Sequence, residues 1–236
     1  MMVQVRSVGT EVDILVGGLA MARKTELVVE VSIDEMTGMQ ALERAAPDRP
    51  MAPGKAVRRE FEYIRHGTQT LMAAFDVATG KVTATVGASR TEQDYAQFLD
   101  ETIQAHPEVE RWHIVADNLN THLSESVVRL VARLSAVDEK SLGKKGKSGV
   151  LASLETRERF LRDPAHKVVV HFTPLHASRL NQVEIWFSIL VKKVIRRGNF
   201  LSQEDLKAKI LDFIQYFNAT MAKVYRWTYK GTPLVT

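Results

Sequence analysis

Three acids stand where an α/β sheet would present them to a ligand. Leu27, Val29, Val31 and Ile33 alternate with Glu30, Ser32 and Asp34, a period-two pattern that predicts a strand ending at Asp34-Glu35. A short apolar strand, Trp112 to Ala116, runs straight into Asp117. Glu184 lies near the start of the helix expected after the strand Lys167 to Phe172. Four residues after Leu180 and three before Phe187, it borders that helix's apolar stripe. Strand ends and adjacent helix starts share one rim in such sheets. Carboxylates gathered there repel one another, and a divalent cation relieves the repulsion. Oxygen ligands suit Mg²⁺ or Mn²⁺. Two such ions, about 3.5–4 Å apart, activate a water or 3′-hydroxyl for in-line phosphoryl displacement. Each acid alone is also an ordinary turn former, and spacing leaves open whether the three meet.

The elements that must position them follow a mixed order. After a Pro-punctuated stretch with Pro47, Pro50 and Pro53, residues 70–77 and 81–88 read as two strands joined by Ala78-Thr79-Gly80. Residues 91–105 read as a helix capped by Thr91, burying Tyr95, Phe98, Leu99, Thr102 and Ile103. A helix carrying Val127, Val128, Leu130, Val131 and Leu134 follows Asp117. The segment of about 136–166 breaks the rhythm: Lys140, Lys144, Lys145 and Lys147 stand among Gly143, Gly146 and Gly149, and a charged helix follows at about 152–162. It is expected to be an insertion with a mobile basic loop. Ser178 is expected to cap the Glu184 helix, which ends near Gly198, and Ser202 a last helix over about 202–218. A three-strand meander followed by strands alternating with helices makes an α/β fold with a mixed sheet flanked by helices.

Composition narrows the chemistry. The 236 residues, 45% hydrophobic and 25% charged, fit one large domain with an appendage. Cysteine is absent, which excludes disulfides, thiolate metal sites and cysteine nucleophiles. No run approaches the ~18 apolar residues of a membrane helix. Ile14 to Ala22 has the small-x-small ending of an exported leader, but Glu11 and Asp13 stand where positive charge belongs. Net charge is +4, yet Lys167 to Thr236 alone hold 11 Lys and Arg against 4 acids. A basic third on a slightly acidic body suits a phosphate-bearing partner or, equally, a solvated face.

The words around the acids are more specific. IDEMTGMQALERAAP, YIRHGTQTLMAAFDVATGKV, IVADNLNTH and HFTPLHASRLNQVEIWFSIL occur in that order. They closely resemble the catalytic domain of bacterial insertion-sequence transposases of the mariner-related DDE superfamily, over about Leu27 to Leu234. The resemblance implies an RNase H-like fold at 25–219, with the basic insertion placed before the last core strand. It implies Asp34, Asp117 and Glu184 as catalytic and metal-holding residues, with Mg²⁺ or Mn²⁺, two ions, as cofactor. It further implies DNA as partner (transposon ends and target), a homodimer when active, and a bacterial, nucleoid-associated cytoplasmic location, with neither a membrane nor a nucleotide cofactor involved.

Other groups fit supporting roles. Asn118 and His122 are placed to position the second carboxylate or a DNA phosphate, a helix cap being the equal alternative for His122. Asn181, one turn before Glu184, is placed to orient that carboxylate. Glu35 points opposite to Asp34 in a strand and ranks below it as a ligand. His171 and His176 flank a proline turn and read as structural. Lys144, Lys145 and Lys147 resemble a P-loop without its leading Gly, and so read as DNA-backbone contacts, as do Lys192, Lys193, Arg196 and Arg197. Tyr225, Arg226, Trp227, Tyr229 and Lys230 form a basic-aromatic tail at 220–236.

The chain departs from the family's pattern twice. Residues 1–24 do not conform and are too few for the usual helix-turn-helix region, so a truncated copy is expected. Arg179 stands where an aromatic residue is usual, close enough to the acids in sequence to bind the scissile phosphate or to compete with metal. A stand-alone nuclease of the same fold, and a catalytically silent remnant that only binds DNA or an intact transposase, are the alternatives. Retention of all three acids favours the active reading.

Overall fold

The structure, a computed structural model, describes residues 27–174 and 181–224. Its strands are β1 (Val28–Arg44), β2 (Tyr63–Asp76), β3 (Val82–Gly87), β4 (Arg111–Ala116) and β5 (Val168–Phe172). They form one sheet in the order β3-β2-β1-β4-β5. β2 runs antiparallel to both its neighbours, while β1, β4 and β5 are parallel. This is the mixed sheet of an RNase H-like fold, as the sequence led us to expect.

Helices cover both faces. On one, α1 (Glu92–Gln104), α2 (Glu125–Leu134) and α3 (Leu154–Leu161) enclose a core with Val31, Ile33, Trp112, Ile114 and Val170. On the other, α4 (Val183–Leu190) and α5 (Gln203–Thr220) pack Trp186, Phe187, Leu190 and Phe217 against Leu71, Ala73 and Phe75. Alternate residues of a strand serve opposite faces, so β1 sends Val31 and Ile33 to the first core and Ser32 and Asp34 toward α4. Thr91 caps α1 in a reciprocal box with Asp94, and Ser202 caps α5.

β1 does not end at Asp34-Glu35 but continues nine residues further, to Arg44, paired with a β2 that begins at Tyr63 rather than residue 70. Its register shifts between Met36 and Met39, where Gly38 takes φ +67°. That extra residue flips the parity, which keeps Met39 and Ala41 on the α4–α5 core. In the sequence the same flip reads as the end of a period-two run. The prolines lie in the connection beyond, where Arg49 and Arg58 make an isolated bridge.

The basic insertion is a closed unit anchored in the first core. Short 3₁₀ turns, Glu139–Leu142 and Gly149–Ala152, place Leu142 and Leu151 in the first core beside Leu161 of α3, each 0% exposed. Lys144 pairs with Ser148 between them. Gly143, at φ +80°, permits this, since a Cβ there would stand 2.2 Å from the Ser148 carbonyl oxygen. No helix among the described residues is long and apolar enough to cross a membrane. The leader, the Ser178 cap, His176, Arg179 and the aromatic tail from Tyr225 lie outside the described residues.

Candidate active site

Register brings the first two acids together. β1 and β4 pair in parallel up to Ser32 and Val115. Two residues further on each chain stand Asp34 and Asp117, at the point where β4 ends and leaves β1 without a partner on that side. Asp34 is therefore not at a strand end, as expected, but at the end of a strand pairing. It faces Ala73 of β2 on its other side and is 7% exposed.

Glu184 reaches the same place because the start of α4 is tied to β1. The Ser32 hydroxyl accepts from Val183 N at 3.0 Å and donates to Asn181 Oδ1. The Asn181 amide donates to the Ile33 carbonyl at 2.9 Å and to Asp34 Oδ2 at 3.3 Å. Asn181, fully buried, thus orients the first carboxylate rather than the third, contrary to the expectation from its spacing. Ser32 escaped notice because its place in the alternation reads as solvated, whereas it is 1% exposed.

Asp117 is held from below by His122. The ring Nδ1 lies 2.8 Å from Asp117 Oδ1 and its Nε2 lies 3.0 Å from Glu35 Oε2. His122 is 0% exposed and the Tyr95 ring lies over it, centroids 4.4 Å apart. The helix cap is Ser124, which accepts from Val127 N, so His122 is not the capping residue. Asn118 donates to the Thr173 carbonyl and ties the ends of β4 and β5 together, so neither Asp117 nor the open rim takes that amide bond.

The electrostatics record the crowding. Burial first, then the charges of Asp117, Glu184 and Glu35, raise Asp34 to a pKa of about 7. Burial and then Asp117 also raise Glu184. Asp117 goes the other way, held down by its hydrogen bond from His122. Burial alone would lower His122, but the bonds to Asp117 and Glu35 outweigh it and push the ring up to about 10. A doubly protonated ring donates to both carboxylates, which no neutral tautomer can do.

The donor set suits a hard divalent cation: three carboxylates, with the charges of Asp117, Glu184 and Glu35 acting on Asp34. As the side chains lie, no group of three His, Asp or Glu among the described residues is placed to hold a metal ion. His171, read as structural, pairs with His113 of β4 at 2.7 Å and does not join the three acids.

The basic residues divide into two groups. Lys192 and Lys193 lie in a π-turn, Val191–Ile195, that continues α4, and Arg196 and Arg197 follow; all four are exposed. The chain then meets the β1 extension, where Phe200 N donates to the Leu42 carbonyl at 2.8 Å. The helix that starts beside Ser32 therefore runs along β1, past Asp34, with this quartet beyond the acids. Lys144, Lys145 and Lys147 are exposed on the insertion hairpin, and Lys145 lies 3.5 Å from Glu92 in the first turn of α1.

Asp34, Asp117 and Glu184 thus stand at one rim of the sheet, close enough for Asp117 and Glu184 to act on Asp34 and for Asp117 to act on Glu184. The chain belongs to the DDE superfamily endonucleases: the family's model matches residues 30–207. Among solved structures the chain is similar to the simian T-cell lymphotropic virus intasome in complex with PP2A regulatory subunit B56 gamma, at 14% identity, covering 78% of this chain and 46% of that one with a TM-score of 0.40. It is also similar to a pre-cleavage Mos1 transpososome, at 11% identity, 81% and 54% coverage and a TM-score of 0.39. For the Mos1 mariner paired end complex with Mn the figures are 14%, 84% and 56%, and 0.31. The chain thus spans about half the length of these chains. No curated protein matches it.

Proposed function

We propose that this chain is a transposase catalytic domain that cuts DNA phosphodiesters and joins the freed 3′-hydroxyl to target DNA, with Asp34, Asp117 and Glu184 holding two Mg²⁺ or Mn²⁺ ions. The observation that carries the reading is geometric: the parallel register of β1 with β4 brings Asp34 beside Asp117, and the Ser32–Val183 bond docks the start of α4, with Glu184, on β1. Burial, with the charges of Asp117 and Glu184 added to it, raises Asp34 to about 7, which favours positive charge at this rim. When bound, the metal supplies activation of the attacking water or hydroxyl and neutralises charge at the leaving oxygen.

The chain's own residues do the rest. Asn181 fixes the Asp34 carboxylate from the side, and His122 fixes Asp117 from beneath. Ser32 docks the first turn of α4 on β1, which sets Glu184 against both. Lys192, Lys193, Arg196 and Arg197 extend from the acids along the β1 extension and take the DNA backbone, with Lys144, Lys145 and Lys147 contributing from the insertion.

Cleavage of end-labelled linear DNA by the purified chain tests the reading. Nicking is expected with Mg²⁺ or Mn²⁺, none with EDTA, and a loss of at least about a hundredfold in Asp117→Ala, since that removes a metal ligand outright. Nicking that survives EDTA or Asp117→Ala would overturn it. Mn²⁺ binding without nicking would favour a silent, DNA-binding remnant.

A further inference from the structure

Asp34 and Glu35 are neighbours on β1, so their side chains leave opposite faces of the sheet. Asp34 goes to the rim. Glu35 goes to the side of the first core, where its side chain is 1% exposed and near Tyr95. A carboxylate so placed is costly unless paired. Its partner is His122, itself 0% exposed, through Nε2 at 3.0 Å. The other ring nitrogen reaches Asp117 twice, at 2.8 Å to Oδ1 and 3.1 Å to the main-chain carbonyl. Leu119 N also donates to Oδ1, at 3.0 Å. Both bonds to the Asp117 carboxylate, from His122 and from Leu119, thus fall on one oxygen, Oδ1.

We propose that Glu35 is the positioning residue of the second carboxylate: through the buried His122 ring it sets the Asp117 side chain relative to Asp34, its own neighbour in sequence. This rests on the metal-site reading above and assigns Glu35 a place that is not that of a ligand. The dipeptide Asp34-Glu35 serves both carboxylates, one directly and one through the imidazole. The spacing between the two is then set by β1, through Glu35, acting on the loop after β4 that carries His122. A Glu–His pair serving stability alone has no need of the bonds to Asp117.

The test is Mn²⁺ titration by calorimetry on the full chain, with thermal melting of each variant. Wild type binds and Asp34→Asn does not; if these two behave alike, the metal-site reading fails whatever Glu35 does. Glu35→Leu removes the acceptor and is expected to bind about 10–100-fold more weakly, the usual cost of losing an outer partner of a metal ligand. Glu35→Gln keeps an oxygen for His122 and is expected to bind within about threefold of wild type, as its retained acceptor implies. Should Glu35→Leu not melt cooperatively, Glu35→Asp, which withdraws the acceptor by one methylene, takes its place with the same expected direction.

A readout without metal accompanies these. A slowly exchanging His122 ring N–H signal is expected in wild type and Glu35→Gln, and its loss in Glu35→Leu or Glu35→Asp. Wild-type affinity in Glu35→Leu or Glu35→Asp overturns the proposal. So does Glu35→Gln binding as weakly as Glu35→Leu, which would make the charge of Glu35, and not its hold on His122, the active property.

Discussion

Asp34 carries the clearest consequence at the scale of single residues. Its pKa in the folded chain, about 7, lies above the ordinary 3.8 of an aspartate. The folded state therefore holds a proton there that the unfolded state has already released, and stability falls as pH rises from about 4 to about 7. His122, raised to about 10, adds a decline over its own window, from its ordinary 6.5 upward. In metal-free protein, melting followed from pH 4.5 to 7.5 should show the Asp34 decline. Asp34→Asn should flatten it and stabilise the protein by a few kcal/mol at pH 7.5, taking each pKa unit at about 1.4 kcal/mol. Mg²⁺ should restore the wild type in the same range, because a ligand that binds only the folded state stabilises it. A flat wild-type profile would contradict the raised pKa of Asp34, which burial and then the neighbouring acids cause. Glu30, raised to about 7 by burial and by Asp76, titrates in the same window; the Asp34→Asn comparison isolates the site from it.

At the scale of elements, the extension of β1 and β2 beyond Asp34 matters most. It gives α4 and its π-turn a surface to run along and so carries the basic quartet past the acids. Each phosphate contact steepens the salt dependence of DNA binding by about 0.9 in the log–log slope. Replacing Lys192, Lys193, Arg196 and Arg197 with Ala should flatten that slope by roughly 2–4, with little effect on melting because all four are exposed. Filter binding to duplex DNA from 50 to 200 mM salt, as about the range over which such slopes are read, checks it. An unchanged slope would return the quartet to the solvated face that charge alone equally suggested.

The whole molecule has two cores on one sheet, and the insertion belongs to the first of them. Leu151 comes from a segment that reads as a basic loop, yet it is fully buried against the residues that also house His122 and Tyr95. Leu151→Ala should cost about 2–5 kcal/mol, the usual range for a buried leucine, measured as a shift in the urea midpoint. A loss below about 0.5 kcal/mol, the level of a surface change, would mean that the insertion is peripheral after all.

Local periodicity made much of this legible in the sequence. The strand before Asp34, the strand into Asp117, the Thr91 and Ser202 caps and the apolar stripe beside Glu184 are encoded by neighbours within a few residues, where alternation and capping chemistry act. The order of the four motifs carried the family. What the sequence left open were relations between distant segments. That Asp34 and Asp117 face each other follows from the parallel register of β1 with β4, a matter of hydrogen bonds across some eighty residues of chain. The glycine bulge at Gly38 hid the rest of β1 because one inserted residue reverses parity. Asn181 serves Asp34, and Glu35 serves Asp117, because side chains choose partners by position in space. The acids and their chemistry were written locally; only the packing of β1 against β4 and α4 decided which group holds which.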